Sequence, residues 1–144
     1  MKPGYFYQEH NKFSKADSVF RSILKDDPDY LNAHYQTGRT AVFSGNRLRE
    51  GINHLKLFIS MQKENKNNIF SVHWRIGIIY EKMGIRDSAL VEYQTALRFN
   101  PKNKEALKAV SKLTRYNFFK LCHNRVKRNL SVNNTLFTVS SYKK

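Results

Sequence analysis

Acidic side chains are scarce in this sequence. Eleven Asp and Glu stand against 26 Lys and Arg in 144 residues, a formal net charge of +15. An extended face of such a chain attracts acidic peptides, nucleic acid or anionic lipid, not cationic partners. The shortage is complete beyond Glu105, where Lys108, Lys112, Arg115, Lys120, Arg125, Lys127, Arg128, Lys143 and Lys144 follow without one acid. Cysteine is reduced to Cys122, which excludes an internal disulfide framework and a cysteine-based zinc cluster. A reducing compartment is expected, the cytoplasm by default or the nucleus in a eukaryote. No stretch approaches the roughly 18 to 20 apolar residues that span a bilayer, and "MKPGYFYQEH" lacks the apolar core of a signal peptide. The glycosylation triplets starting at Asn129 and Asn133 would matter only in a secreted chain.

Catalytic motifs are missing as well. The chain has no H-E-x-x-H, G-x-x-x-x-G-K-[ST], G-x-S-x-G or G-x-G-x-x-G, so metalloprotease, nucleotide-loop and hydrolase chemistries lack their minimum residues. No enzyme activity, metal or cofactor is expected. The five histidines, His10, His34, His54, His73 and His123, are spread along the chain and read as packing residues, because a metal needs converging ligands. Cys122 and His123 are neighbours on a helix and do not share a face; Cys122 reads as a core residue.

What the sequence does have is a repeat. Gly4-x-x-Tyr7 is followed by Ala16-x-x-x-Phe20, Ile23 and Pro28; Gly77-x-x-Tyr80 is followed at the same spacing by Ala89-x-x-x-Tyr93, Ala96 and Pro101. Between them lies a degraded copy with Gly38, then Gly51-x-x-x-Leu55 and Phe58. The separations are 38 − 4 = 34 and 77 − 38 = 39, so the middle unit carries five extra residues. One falls in its inner turn, and four fit the polar run "KENKNN" that begins at Lys63. The period and the signature resemble the tetratricopeptide repeat (TPR). The resemblance covers three units, about 1–30, 31–68 and 69–102, with a further cap helix over 103–128 and a basic tail over 129–144 expected to be mobile. It implies an all-α, right-handed α-solenoid of three helix hairpins. The departures are His34 and His73 where the motif has tryptophan, Trp74 displaced by one, Ala41 in place of the aromatic after Gly38, and no closing proline in the middle unit.

Physical chemistry gives the spacing its meaning. Small residues at Gly4, Gly38, Gly51, Gly77, Ala16, Ala89 and Ala96 let helix axes approach, while Tyr7, Phe20, Tyr80 and Tyr93 fill the space a turn away. A glycine inside a helix costs about 1 kcal/mol against alanine, so its return at fixed phase reflects a packing need. Gly45 and Gly84 sit where a left-handed cap is wanted, and Pro28 and Pro101 close helices. Helices are predicted over 3–11, 14–25, 31–43, 48–61, 69–83 and 86–98, with a seventh from Asn103 to about Arg128. Gly4 lies deep in the first helix, so that helix is either short or the chain is a fragment.

By the resemblance, first helices line a concave groove. Its inward positions correspond to Tyr5, Gln8, Glu9, Asn32, Tyr35, Arg39, Val42, Phe43, Ser71, Trp74, Ile78, Glu81 and Lys82, with Lys108, Lys112 and Arg115 added by the cap helix. Aromatics interleaved with cations suit a protein or peptide partner bearing carboxylates and a few apolar anchors. The chain then acts as a non-catalytic scaffold, with Trp74, Tyr35, Arg39 and Lys82 foremost. Tyr35 and Trp74 are equally placed to pack between units. The TPR subclass that clamps a C-terminal carboxylate is not matched: Met1 and Tyr5 occupy its first-helix sites, and Arg75 alone echoes its third-helix set. A rival reading places nucleic-acid or anionic-surface binding on Lys120, Arg125, Lys127 and Arg128 with Phe118 and Phe119. Oligomeric state has no signal in the sequence.

Overall fold

A computed structural model describes residues 3–62 and 68–140, with side chains followed to 121 and at 123. Among them are seven helices and no strand: α1 Pro3–Glu9, α2 Phe13–Asp26, α3 Leu31–Ser44, α4 Leu48–Met61, α5 Ile69–Lys82, α6 Arg86–Phe99 and α7 Lys104–Ser140. The chain divides into two compact units, Met1–Val110 and Ser111–Lys144. In the first, α1 and α2, α3 and α4, and α5 and α6 pair as hairpins. Successive hairpins meet through α2 on α3, α4 on α5 and α3 on α5. This is the all-α solenoid of three hairpins that the repeat spacing predicts.

Each hairpin is built on a missing Cβ. A methyl group at Gly4 would stand 2.6 Å from the Phe20 ring, at Gly38 2.3 Å from Leu55, and at Gly77 2.4 Å from Tyr93. The three glycines therefore serve one purpose, seating a large side chain of the second helix directly on the main chain of the first. Ala16, Ala89 and Ala96 are fully buried beside them. The middle hairpin explains its own departure from the motif. A methyl at Gly51 would lie 2.5 Å from the Cβ of Ala41, so the aromatic lost at 41 goes with a small-on-small contact. The central core gathers Val42, Ile52, Leu55, Phe58, Val72, Ile76 and Ile79, with Tyr35, Ile78 and Tyr80 packed against it. A smaller cluster of Ala16, Phe20 and Ala33 is flanked by Tyr5, Tyr7 and Tyr30. Burying side chains of this size stabilises the fold by about 1.5–3 kcal/mol each.

The inner turns repeat a backbone solution. Gly45 has φ 71° and Gly84 φ 75°, as their cap positions require. The first hairpin reaches the same left-handed state with Asn11, φ 55°, which stands seven residues after Gly4 as Gly45 and Gly84 stand seven after Gly38 and Gly77. Asparagine is among the few other residues that enter this region readily. Lys12 N–H bonds the Tyr7 carbonyl at 2.8 Å, and Ile85 N–H bonds Tyr80 at 2.9 Å, the equivalent bond in the third hairpin. The middle turn has a second left-handed residue, Arg47 at φ 52°, which accommodates the extra residue there. The other four extra residues fall within a segment mostly outside the described residues.

The seventh helix departs from expectation. Asn103 caps it, its Oδ1 accepting from Ala106 N–H at 2.8 Å, and the backbone stays helical to Ser140, twelve residues past Arg128. Residues 129–140, expected as a mobile tail, are therefore helix. The reason is the absence of a stop: no glycine follows Gly84 and no proline follows Pro101, so nothing interrupts the ladder of main-chain bonds. Residues 141–144 lie outside the described residues, as do the side chains of Cys122, Arg125, Lys127 and Arg128.

Candidate functional site

The first helices of the first two hairpins, α1 and α3, are joined by a polar seam. Asn32 Nδ2 donates to the Tyr5 hydroxyl at 2.7 Å, and Gln36 Nε2 reaches the same hydroxyl at 3.4 Å and Asn32 Oδ1 at 3.3 Å. Gln8 is buried and donates to Thr40 Oγ1 at 2.7 Å, while Arg39 Nη1 donates to Gln8 Oε1 at 3.0 Å and Gln36 Oε1 at 3.4 Å. Buried amides cost free energy unless bonded, and here each finds partners across α1 and α3. Of these residues, Gln8, expected to face a groove, is buried. Gln36 and Thr40 carry no sequence signal, because a helix-interior Gln or Thr has no signature of its own.

An open cavity of about 630 Å³ adjoins this seam, lined among others by Tyr5, Asn32, Tyr35, Gln36 and Phe58, with Asp27 and Asp29 also in its wall. Tyr35, packed on Phe58 at 5.0 Å between ring centroids, carries the Arg75 guanidinium 5.0 Å above its ring. Arg75 Nη1 also donates to the Ser71 carbonyl at 3.1 Å. Burial holds the Arg75 pKa below its ordinary value, with Tyr35 opposing this and the charge of Arg39 adding to it. Among the described residues neither Arg39 nor Arg75 has a carboxylate partner. Arg39 lies 5.5 Å over Phe43, which is exposed and stacked on Phe13.

The remaining predicted groove residues are placed differently. Trp74 stacks on Phe70 and meets Tyr93 at 4.8 Å, so much of its ring surface is used inside the third hairpin. Ile78 packs on the central core, and Lys82 is exposed at the end of α5. Glu81 accepts a bond from the Tyr93 hydroxyl at 2.9 Å; burial first, then that carboxylate, raises the Tyr93 pKa. Lys108 and Lys112 are exposed on α7, Lys112 within the second unit.

The two histidines at the tryptophan position have a shared role. His34 Nε2 donates to the Pro28 carbonyl at 2.8 Å, which leaves its Nδ1 to accept from His54 Nδ1 at 2.8 Å. His73 Nδ1 donates to Glu92 Oε2 at 2.7 Å. His54 and Glu92 each stand three residues after the small residue Gly51 or Ala89, so both pairs tie equivalent points of two hairpins. Among the described residues no three His, Cys, Asp or Glu side chains gather as metal ligands, and no helix is long and apolar enough to cross a membrane.

No family model matches the chain, and no curated protein does. Solved structures do match. The first TPR domain of Spaghetti (RPAP3), bound to the HSP90 peptide SRMEEVD, superposes with a TM-score of 0.68 at 16% identity, over 80% of this chain and 87% of that one. The TPR domain of Arabidopsis OM64 gives 0.67 at 16% identity, over 78% and 88%. The second TPR domain of human RPAP3, in complex with the HSP70 peptide SGPTIEEVD, gives 0.66 at 16% identity, over 78% and 89%. The fold is therefore TPR-like.

Proposed function

We propose that this TPR-like array is a non-catalytic interaction module that holds an extended, acidic segment of a partner protein along α1, α3 and α5. The observation that carries the reading is the pair of half-buried guanidiniums, Arg39 and Arg75, without a carboxylate partner among the described residues, one of them poised over a cavity-lining tyrosine. A guanidinium partly removed from water gains most from a bidentate carboxylate. Two of them beside the donors and acceptors of Asn32, Gln36 and Tyr5 favour a main chain with acidic side chains over an apolar helix. Asp27 and Asp29 in the cavity wall give the groove a polarity, with the partner's carboxylates toward Arg75 and any cation toward the aspartates. The groove works by holding, since among the described residues nothing in it pairs a nucleophile with a base.

The test is fluorescence anisotropy with two labelled ten-residue peptides, one rich in Asp and Glu with a Tyr anchor, the other its Asn and Gln counterpart. The intact chain should prefer the acidic peptide by 10-fold or more, on the order expected for a charge-assisted pair. Arg39→Ala with Arg75→Ala should remove the preference while circular dichroism keeps its helical signal. Equal binding of both peptides, or an unchanged preference in the double variant, would sink the reading.

A further inference from the structure

Two cavities of the first unit adjoin, and their linings differ. The larger, of about 630 Å³, is lined by four rings, four amide side chains, Leu31 and the carboxylates of Asp27 and Asp29, with no Lys or Arg among the described residues. The smaller, of about 170 Å³, is mainly apolar, with Val19, Phe20, Ile23 and Ala33 in its wall. Tyr5, Tyr30 and Asn32 line both, so the two chambers share a wall. Asp27 and Asp29 are exposed, and neither is in an ion pair among the described residues. Arg75 stands over the Tyr35 ring, where this acidic chamber meets the unpaired guanidiniums.

Charge narrows the occupant of the larger chamber. A carboxylate or a nucleic-acid phosphate entering it meets two aspartates and no cation in the described lining. A metal ion needs more than two carboxylates, and among the described residues no three His, Cys, Asp or Glu gather. A free organic cation is repelled at long range by a chain of net charge +15. A basic side chain carried on an acidic segment escapes that repulsion, because the segment's own carboxylates go to Arg39 and Arg75. Arginine suits the chamber best, since a guanidinium stacks on aromatic faces and takes carboxylates bidentately. The apolar chamber next door admits an apolar neighbour of that arginine, which a free amine would not supply. Leu31, which follows the aspartates, and Arg39 are 39 − 31 = 8 residues apart on α3, about 12 Å of helix rise. An extended partner rising about 3.3 Å per residue covers that distance in about four residues.

We infer that the segment held by the array is of mixed charge: it carries an arginine, beside an apolar residue, about four residues from its carboxylate. The guanidinium lies between Asp27, Asp29 and the rings of the larger chamber, and the apolar side chain enters the smaller one. This rests on the peptide-holding reading above and adds a basic and an apolar requirement to it.

Fluorescence anisotropy of the full chain with a labelled peptide set tests this. The parent peptide has a Leu-Arg pair and, about four residues on, a Glu-Glu pair in a Ser and Asn background. Changing its Arg to Gln, its Leu to Ser, or moving the Leu-Arg pair next to the Glu pair at the same composition should each weaken binding on the order of 5-fold, the sum expected of an exposed ion pair and a cation over a ring. Asp27→Asn with Asp29→Asn should erase the effect of the Arg change and of the shifted spacing. Asparagine keeps the Oδ1 that accepts from the Asp29 N–H at 3.2 Å, so the turn stays intact, which circular dichroism checks. Equal binding of the parent and its Arg-to-Gln form by the intact chain overturns the inference, as does a difference that survives in the aspartate variant. A peptide with Gln for both Glu reads the acidic requirement by itself. If it binds weakly while the Arg change does nothing, the acidic reading stands and this inference falls; if it binds like the parent, both fall.

Discussion

The second and third hairpins solve one packing problem with different residues. In the third, Gly77 receives the buried Tyr93, Tyr80 stands where the second hairpin has Ala41 and packs against the central core, and His73 bonds a carboxylate. In the second, Gly38 receives the smaller Leu55, Ala41 meets Gly51, and His34 bonds a histidine. The comparison teaches that the repeat conserves the fit between facing positions and not the identity of either. Where one side shrinks, the other does too or the axes close in, as close-packed interiors require.

The largest effect should come from emptying the receiving site. Tyr93→Ala removes a ring that fills the third hairpin and also frees Glu81 from its hydroxyl, and should cost about 3–5 kcal/mol; Leu55→Ala in the second should cost about 2–5 kcal/mol. Urea denaturation of both variants measures the difference, and a smaller loss for Tyr93 would break the comparison. Next comes overfilling. Gly77→Ala forces a methyl against a ring that is fully buried, and should destabilise by about 1–3 kcal/mol. Combining it with Tyr93→Leu, which imports the second hairpin's smaller partner, should cost less than the two changes summed. Strict additivity in the double-mutant cycle would show that the glycine and the large residue do not act as a pair.

The smallest effect concerns pH. Burial first, then the charges of His34 and Arg21, hold the His54 pKa below its ordinary value, while Glu50 and Asp17 pull the other way. The folded chain then binds fewer protons at this site than the unfolded chain. The contribution of His54 is intact above the ordinary imidazole pKa of about 6.5 and falls as pH drops below it. His54→Glu gives the second hairpin the third's arrangement, so its denaturation midpoint should fall less between pH 7.5 and 5.0 than that of the unaltered chain. An equal fall would remove the histidine pair from the account.

Much of the fold was legible because spacing is a backbone property. The glycine-to-glycine intervals gave the hairpins, and Gly45 and Gly84 gave their turns. Asn11 was harder, since asparagine takes a left-handed conformation by permission and not by default. The extension of α7 is not legible in the sequence because weak helix formers such as Asn and Thr resemble a tail, although no glycine or proline stops the helix. The site was less legible. Tyr5, Asn32 and Tyr35 were expected together and do line one cavity. Gln36 and Arg75 join them only through contacts between helices far apart in sequence. Trp74, read as a groove residue, spends its ring on Phe70 and Tyr93.

The sequence alone determined that this chain is helical, repeated and basic, because helix period, missing Cβ atoms and net charge are all written one residue at a time. Tertiary structure decided which polar groups are buried between α1 and α3 and which are left facing outward. It also decided which cations keep a carboxylate and which do not. Those outcomes depend on the partners that packing brings within hydrogen-bond reach, and residues 28 to 32 apart, such as Gln8 and Thr40, meet only when two helices settle against each other.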